Sequence, residues 1–316
     1  MLRLISLGSL AALFFSSTFV INRALSLQGG HWAWTSSLRF GFMLFMLVII
    51  LLATQGKKAL ADVKDVFLKH WLFWVTAGSI GFGVFYSLIT FSSQYAAGWV
   101  VATTWQITIL ATPIVLLLFG HSVPRNGLIF TSVIFIGVIF VNVEHAALTS
   151  LREVLLSALP VLGAAFAYPI GNQLVWESRK GNHPRLPHIT HPILENAFAR
   201  VLLLTLGSLP FWAGLLLFTS PPAPSADQFI STALVALLSG VIATTLFLYA
   251  RHLAHKPYEV SAVDSTQSLE VVFSLAGEIL FLGAALPGWL GIAGIILTIL
   301  GLVAYISFQN NADAEH

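Results

Sequence analysis

The chain has 316 residues, 57% of them hydrophobic and only 9% charged, with a mean hydropathy of +0.87. A soluble domain carries about 25% charged residues, so this composition excludes a soluble enzyme and implies a polytopic membrane protein. The net charge of +2 is too small to suggest a nucleic-acid partner, and the lack of cysteine excludes disulfides, thiolate nucleophiles and zinc–thiolate sites.

The first 25 residues could pass for a signal peptide, but the apolar run is too long for an h-region, so a retained helix is expected. Ten stretches are long and apolar enough to span a bilayer, at about 4–24, 32–54, 71–92, 97–119, 126–143, 152–176, 193–218, 227–250, 258–282 and 288–308. The connections are short, the longest being 55–70 and 177–192. With the N-terminus inside, eleven Lys and Arg fall on one side (Arg3, Lys57, Lys58, Lys64, Lys69, Arg125, Arg179, Lys180, Arg185, Arg251 and Lys256) and two, Arg23 and Arg152, on the other. That asymmetry predicts both termini in the cytoplasm.

The halves can be aligned. FFSSTFVINRAL (14–25) lies on AAFAYPIGNQLV (164–175), matching Asn22 with Asn172; SSLRF (36–40) lies on AFARV (197–201), matching Arg39 with Arg200; LFGHSVP (118–124) lies on FLGAALP (281–287). The expected fold is all-α and integral to the membrane. Its ten transmembrane helices form two inverted five-helix repeats, 1–150 and 151–316, which make one transport domain with a site between the repeats.

Polar groups inside spans point to that site. Residues 258–281 carry Asp264, Gln267, Glu270 and Glu278 within an arc of roughly 120° at 100° per residue. An acid at mid-membrane costs roughly 3 kcal/mol and is kept where it faces a cavity or partner. Glu270, Asp264 and Glu278 are therefore the proton or cation candidates, or else hydrogen-bonded structural acids. Trp99, Thr103, Trp105 and Gln106 form a candidate aromatic wall with hydrogen-bonding groups, or pack against neighbouring helices. Tyr86, Thr90 and Gln94 recur at i, i+4 and i+8 on one face, with Thr244, Thr245 and Tyr249 in the later counterpart. Tyr168 and Pro169 are hinge or gate candidates, and Asn22 and Asn172 suit capping of freed carbonyls. Arg39 and Arg200 could bind a substrate carboxylate or act structurally. The histidines of GNHPRLPHITHP are too irregularly spaced for a metal site, and no metal or cofactor is expected.

SSTFVINRAL (16–25) followed by SSLRF (36–40), and LFG and FLG preceding a proline and a glycine-punctuated helix, resemble the EamA-like branch of the drug/metabolite transporter superfamily over nearly the whole chain. The aromatic-rich character is similar to the YddG-type amino-acid exporters and to the multidrug efflux group. The resemblance implies the ten-helix fold, a bacterial inner (cytoplasmic) membrane and export of small metabolites by alternating access. Amino acids are the first expected substrate and multidrug or cation efflux the alternative. The chain departs from the family in having His121 and Ala284 where a Glu often stands, Val271 after Glu270, and no acid in its first helix. Expected partners are the bilayer and a small-molecule substrate, the latter driven either by its own gradient or by coupled protons, with a monomer sufficient. An intramembrane enzyme is the less favoured reading: Asp264 and Glu278 stand about 21 Å apart along a helix, too far for a dyad. A passive channel is a third.

Overall fold

The structure, a computed structural model, describes residues 2–121, 127–181, 183–254 and 257–313. All regular elements in it are helical. They are α1 (Leu2–Leu27), α2 (Trp32–Lys69), α3 (Trp71–Ser92), α4 (Gly98–Leu118), α5 (Gly127–Leu148), α6 (Leu151–Lys180), α7 (Ala197–Thr219), α8 (Ala226–Leu253), α9 (Pro257–Ser265), α10 (Leu269–Leu282) and α11 (Trp289–Asp313).

Among the described residues seven of these, α1 to α4 and α6 to α8, are long and apolar enough by length and composition to cross a membrane. This corrects the expectation of ten. Among the described residues, the apolar parts of α5 and α11 in the 126–143 and 288–308 stretches are Ser132–Leu148 and Trp289–Tyr305. The 258–282 stretch is not one helix, because a 3₁₀ turn at Thr266–Ser268 divides it. The division has a local cause. Ser265, Thr266 and Ser268 each donate a side-chain hydroxyl to the carbonyl three residues back, at 3.0, 2.6 and 2.7 Å. Three bonds of this kind within four residues compete with the α-helical ladder. With seven spans, the two-by-five inverted repeat loses its basis, and termini on one side no longer follow from counting crossings.

Helix α2 also exceeds its expected range. It kinks at Gly56, whose φ of 77° a side chain would resist, and continues as an amphipathic segment that buries Ala59, Val63 and Val66. Helix α6 begins with a full capping box between Ser150 and Glu153 and ends at Gly181, at a φ of 69°. Small residues set the closest approaches. A Cβ on Gly81 would stand 2.9 Å from the Cα of Gly171, so α3 and α6 touch backbone to backbone. The largest core cluster runs from Phe40, Met43 and Leu47 of α2 through Trp74 and Tyr86 of α3 to Leu202, Leu203 and Trp212 of α7.

Candidate functional site

A cavity of about 260 Å³ lies among α1, α2, α3, α4, α6, α7, α8 and the divided α9–α10 stretch. Its walls are aromatic. Phe15 and Phe19 come from α1, Phe40 from α2, Phe82, Phe85 and Tyr86 from α3, Trp105 from α4 and Tyr168 from α6. Phe85 joins two of them, with ring centroids 4.9 Å from Trp105 and 5.0 Å from Tyr168, and Trp105 stands 5.7 Å from Tyr168.

Irregular helix supplies much of this lining. Ser79–Val84 within α3 and Ala236–Ala243 within α8 are π-helical. They bring Phe82, Ser239 and Gly240 to the cavity. Such widened turns are characteristic of functional positions in helices. Trp105 stands where the α-helical path of α4 is interrupted, between Gly98–Trp105 and Thr108–Leu118. The 3₁₀ turn places Gln267 on the cavity, and Glu270 follows in the first turn of α10.

Among the described residues one guanidinium and one carboxyl group line the cavity, those of Arg39 and Glu270. Arg39 is 9% exposed and already engaged. Its Nη2 donates to Ser239 Oγ at 3.0 Å, and its guanidinium lies 3.9 Å from the centre of the Tyr86 ring. Ser239 Oγ also accepts from Thr18 Oγ1 at 2.6 Å, while the Tyr86 hydroxyl exchanges hydrogen bonds with the Asn22 amide at 3.1 and 3.3 Å. Glu270 differs. It is 8% exposed, and among the described residues it has no hydrogen bond or ion pair. It is an uncompensated carboxyl group inside a ring of π-faces.

The structure thus brings Trp105, Tyr86, Tyr168, Gln267, Glu270, Arg39 and Thr244 together around one cavity, while Thr245 donates its hydroxyl to Val241 O at 2.7 Å. The remaining sequence candidates lie off its lining. Trp99 belongs to the packed core. Thr103 Oγ1 donates to Trp99 O at 2.7 Å, Gln106 Nε2 to Ala102 O at 3.3 Å, and Thr90 Oγ1 to Tyr86 O at 3.1 Å. The carbonyl of Gln94 accepts from Arg23 Nη1 at 3.3 Å. The Tyr249 hydroxyl accepts from Arg3 Nη2 at 3.2 Å and is half exposed. Asp264 faces Arg251 Nε at 3.4 Å. Glu278 accepts from the backbone N–H groups of Gly98 at 2.7 Å and Trp99 at 3.2 Å, capping α4. Arg200 donates to Leu194 O. Pro169 is buried beside Tyr168 within α6, and Asn172 is exposed one turn further on.

Sequence reasoning passed over Phe15, Phe19, Phe40, Phe82, Phe85 and Ser239. With 24 phenylalanines in the chain, nothing local marks those that face a cavity. The π-helical stretches were legible only as their glycines, Gly81, Gly83 and Gly240. No group of three or more His, Asp or Glu that could hold a metal occurs among the described residues.

A solved crystal structure 15% identical to the chain superposes with a TM-score of 0.60, covering 97% of this chain and 98% of its own, which establishes a shared fold. "Uncharacterized protein YjlA" of Bacillus subtilis is 38% identical over 321 residues, covering 96% of this chain and 94% of that protein. The "Uncharacterized 42.1 kDa protein in intracellular alkaline protease 3'region" of Shouchella clausii is 37% identical, covering 84% of this chain and 69% of its own. The family assignment corrects the EamA-like resemblance and the amino-acid exporter expectation that came with it: short strings such as SSLRF do not discriminate between related transporter groups. The chain is a membrane-embedded transporter and not an enzyme, and it belongs to the EmrE family, described as "Putative multidrug resistance efflux transporter", whose family model matches residues 2–311.

Proposed function

We propose that the chain exports amphipathic aromatic cations across a bacterial cytoplasmic membrane. The ligand's charge is taken by Glu270 and its rings by Phe85, Trp105 and Tyr168. The observation that carries this reading is the uncompensated Glu270 carboxyl in an aromatic-walled cavity. Leaving a charge unpaired out of water costs several kcal/mol, so this carboxylate is neutralised by a proton or by a cationic ligand. A desolvated cation over an aromatic face gains about 2 kcal/mol. Arg39 leaves the Glu270 charge free, because its own guanidinium is stacked on Tyr86 and bonded to Ser239.

Competition between proton and cation at Glu270 gives a coupling mechanism. Each ligand leaves when the other arrives, so a proton gradient drives export. The necessary helix movement centres on the 3₁₀ turn at Thr266–Ser268 and the two π-helical stretches, where backbone bonding differs from the flanking helix. Residues 1–150 and 151–316 both contribute walls and shift relative to one another. Thr103 and Gln106 position Trp105 by holding the interrupted α4, and Thr90 holds the Tyr86 turn.

The test is uptake of ethidium into proteoliposomes by the purified protein, across a pH series, beside Glu270→Gln. Saturable wild-type uptake whose apparent affinity falls as pH falls, with both affinity and pH dependence lost in the variant, is the expected result. Equal uptake by Glu270→Gln, or equal wild-type uptake of a neutral aromatic of the same size, overturns the reading.

A further inference from the structure

A second cavity, of about 360 Å³, opens where the α2–α3 connection meets the loop after α6. Among the described residues its rim carries two cations, Lys69 and Arg185, and its lining contains no acid. Both side chains are exposed, and neither makes an ion pair among the described residues. His70 adds no charge at neutral pH, because burial and the neighbouring Lys69 hold its pKa below the usual imidazole value. Below the rim the walls turn apolar, with Trp71, Leu72 and Phe73 on α3 and Leu174 on α6. Thr76 lies five residues beyond Trp71, about 7.5 Å deeper. Its hydroxyl is spent on Leu72 O at 2.8 Å, so its methyl group remains for the cavity.

The loop that supplies Arg185 is fixed in place. The N–H of Arg185 donates to His183 Nδ1 at 3.3 Å, and the N–H of Ile189 donates to Ser178 O at 2.9 Å, tying the loop back to the end of α6. Prolines at 184 and 187 restrict the backbone between them. Leu68, Trp71 and Leu72 are 58, 57 and 63% exposed, large apolar groups that only the bilayer can cover. The end of α2 from Lys57 to Lys69 and the stretch at 177–192 meet at this cavity and hold the densest Lys and Arg of the chain, a bias that marks the cytoplasmic side.

We propose that this cavity is a binding site for one anionic phospholipid of the cytoplasmic leaflet. The phosphate sits between Lys69 and Arg185, and the upper part of an acyl chain lies along Leu72, Phe73 and Leu174. Charge at the rim and apolar walls over about the first one and a half turns below it match the two ends of a lipid. A soluble phosphate compound or an acidic peptide would leave the apolar floor empty. Basic pockets between transmembrane helices on the cytoplasmic side are a recurrent form of headgroup recognition. The site is separate from the central cavity and does not depend on the substrate proposed for it.

The experiment is retention of added lipid by the purified protein in detergent, read by native mass spectrometry, with phosphatidylglycerol and phosphatidylcholine compared. Wild type is expected to retain one phosphatidylglycerol in preference to phosphatidylcholine. Lys69→Gln/Arg185→Gln is expected to lose roughly 30-fold of that preference, two basic contacts near a membrane surface being removed. Lys57→Gln/Lys58→Gln, which removes the same charge from the segment of α2 that carries Lys69, controls for non-specific attraction. No preference in wild type, or equal losses in the two double variants, overturns the proposal. Displacement of the lipid by inorganic phosphate alone would also overturn it, because a small anion would then satisfy the site.

Discussion

Replacing Glu278 tests whether this acid is structural or part of the transport chemistry. Its side chain is 1% exposed, and its two oxygens accept the N–H groups of Gly98 and Trp99 at 2.7 and 3.2 Å. These are donors at the first turn of α4, with no partner inside the helix. Glu278→Ala strands both, at about 1–3 kcal/mol for a buried unsatisfied group, and removes a favourable charge from a helix N-terminus, about 0.3–1 kcal/mol. Removing the burial cost of the carboxylate offsets part of this, so the net loss is about 2–3 kcal/mol. Glu278→Gln keeps one acceptor oxygen and loses about 1 kcal/mol. The assay is thermal unfolding in detergent, followed by tryptophan fluorescence. The expected order of apparent melting temperature is wild type, then Gln, then Ala, with ethidium uptake by the Gln variant retaining its pH dependence. An Ala variant as stable as wild type, or a Gln variant whose uptake no longer responds to pH, refutes the reasoning.

Further outcomes follow from named contacts. Gly98→Ala would bring a Cβ to 2.6 Å from Phe19 O, so α1 and α4 must separate; unfolding temperature and uptake should both fall, and unchanged values would show that the helices have room. Trp105→Ala and Tyr168→Ala each remove one π-face, which should weaken ethidium binding several-fold at about 1 kcal/mol apiece, measured by fluorescence titration. Ser239→Ala removes the acceptor shared by Arg39 and Thr18, and should lower thermal stability and raise the apparent KM for ethidium. The bond from Arg179 holds the exposed Glu195 carboxyl below its usual range. That contribution is present at neutral pH and lost as pH falls through the depressed value, but solvent screens it. Arg179→Gln should leave the melting temperature at pH 7 unchanged, and a clear drop would contradict the screening argument.

The composition by itself determined that this chain lives in a membrane, because 57% hydrophobic residues cannot be covered by water-facing polar groups. Helical spacing likewise marked Tyr86, Gln267 and Glu270, while Trp105 stood out in a candidate aromatic wall and Tyr168 beside Pro169, since polar and aromatic groups within apolar spans are kept where they face a cavity or partner. The count of spans was less legible. The hydroxyls of Ser265, Thr266 and Ser268 break a stretch that hydropathy reads as continuous, and the lysines of 57–69 read as a loop although Ala59, Val63 and Val66 hold that segment in helix α2. The difference between Glu270 and Glu278 belonged to the tertiary structure alone. Both are acids on one helix, eight residues apart, but one meets the open N-terminus of α4 and the other an empty space. A carboxylate's role depends on which donors surround it, and those come from chain nearly two hundred residues away.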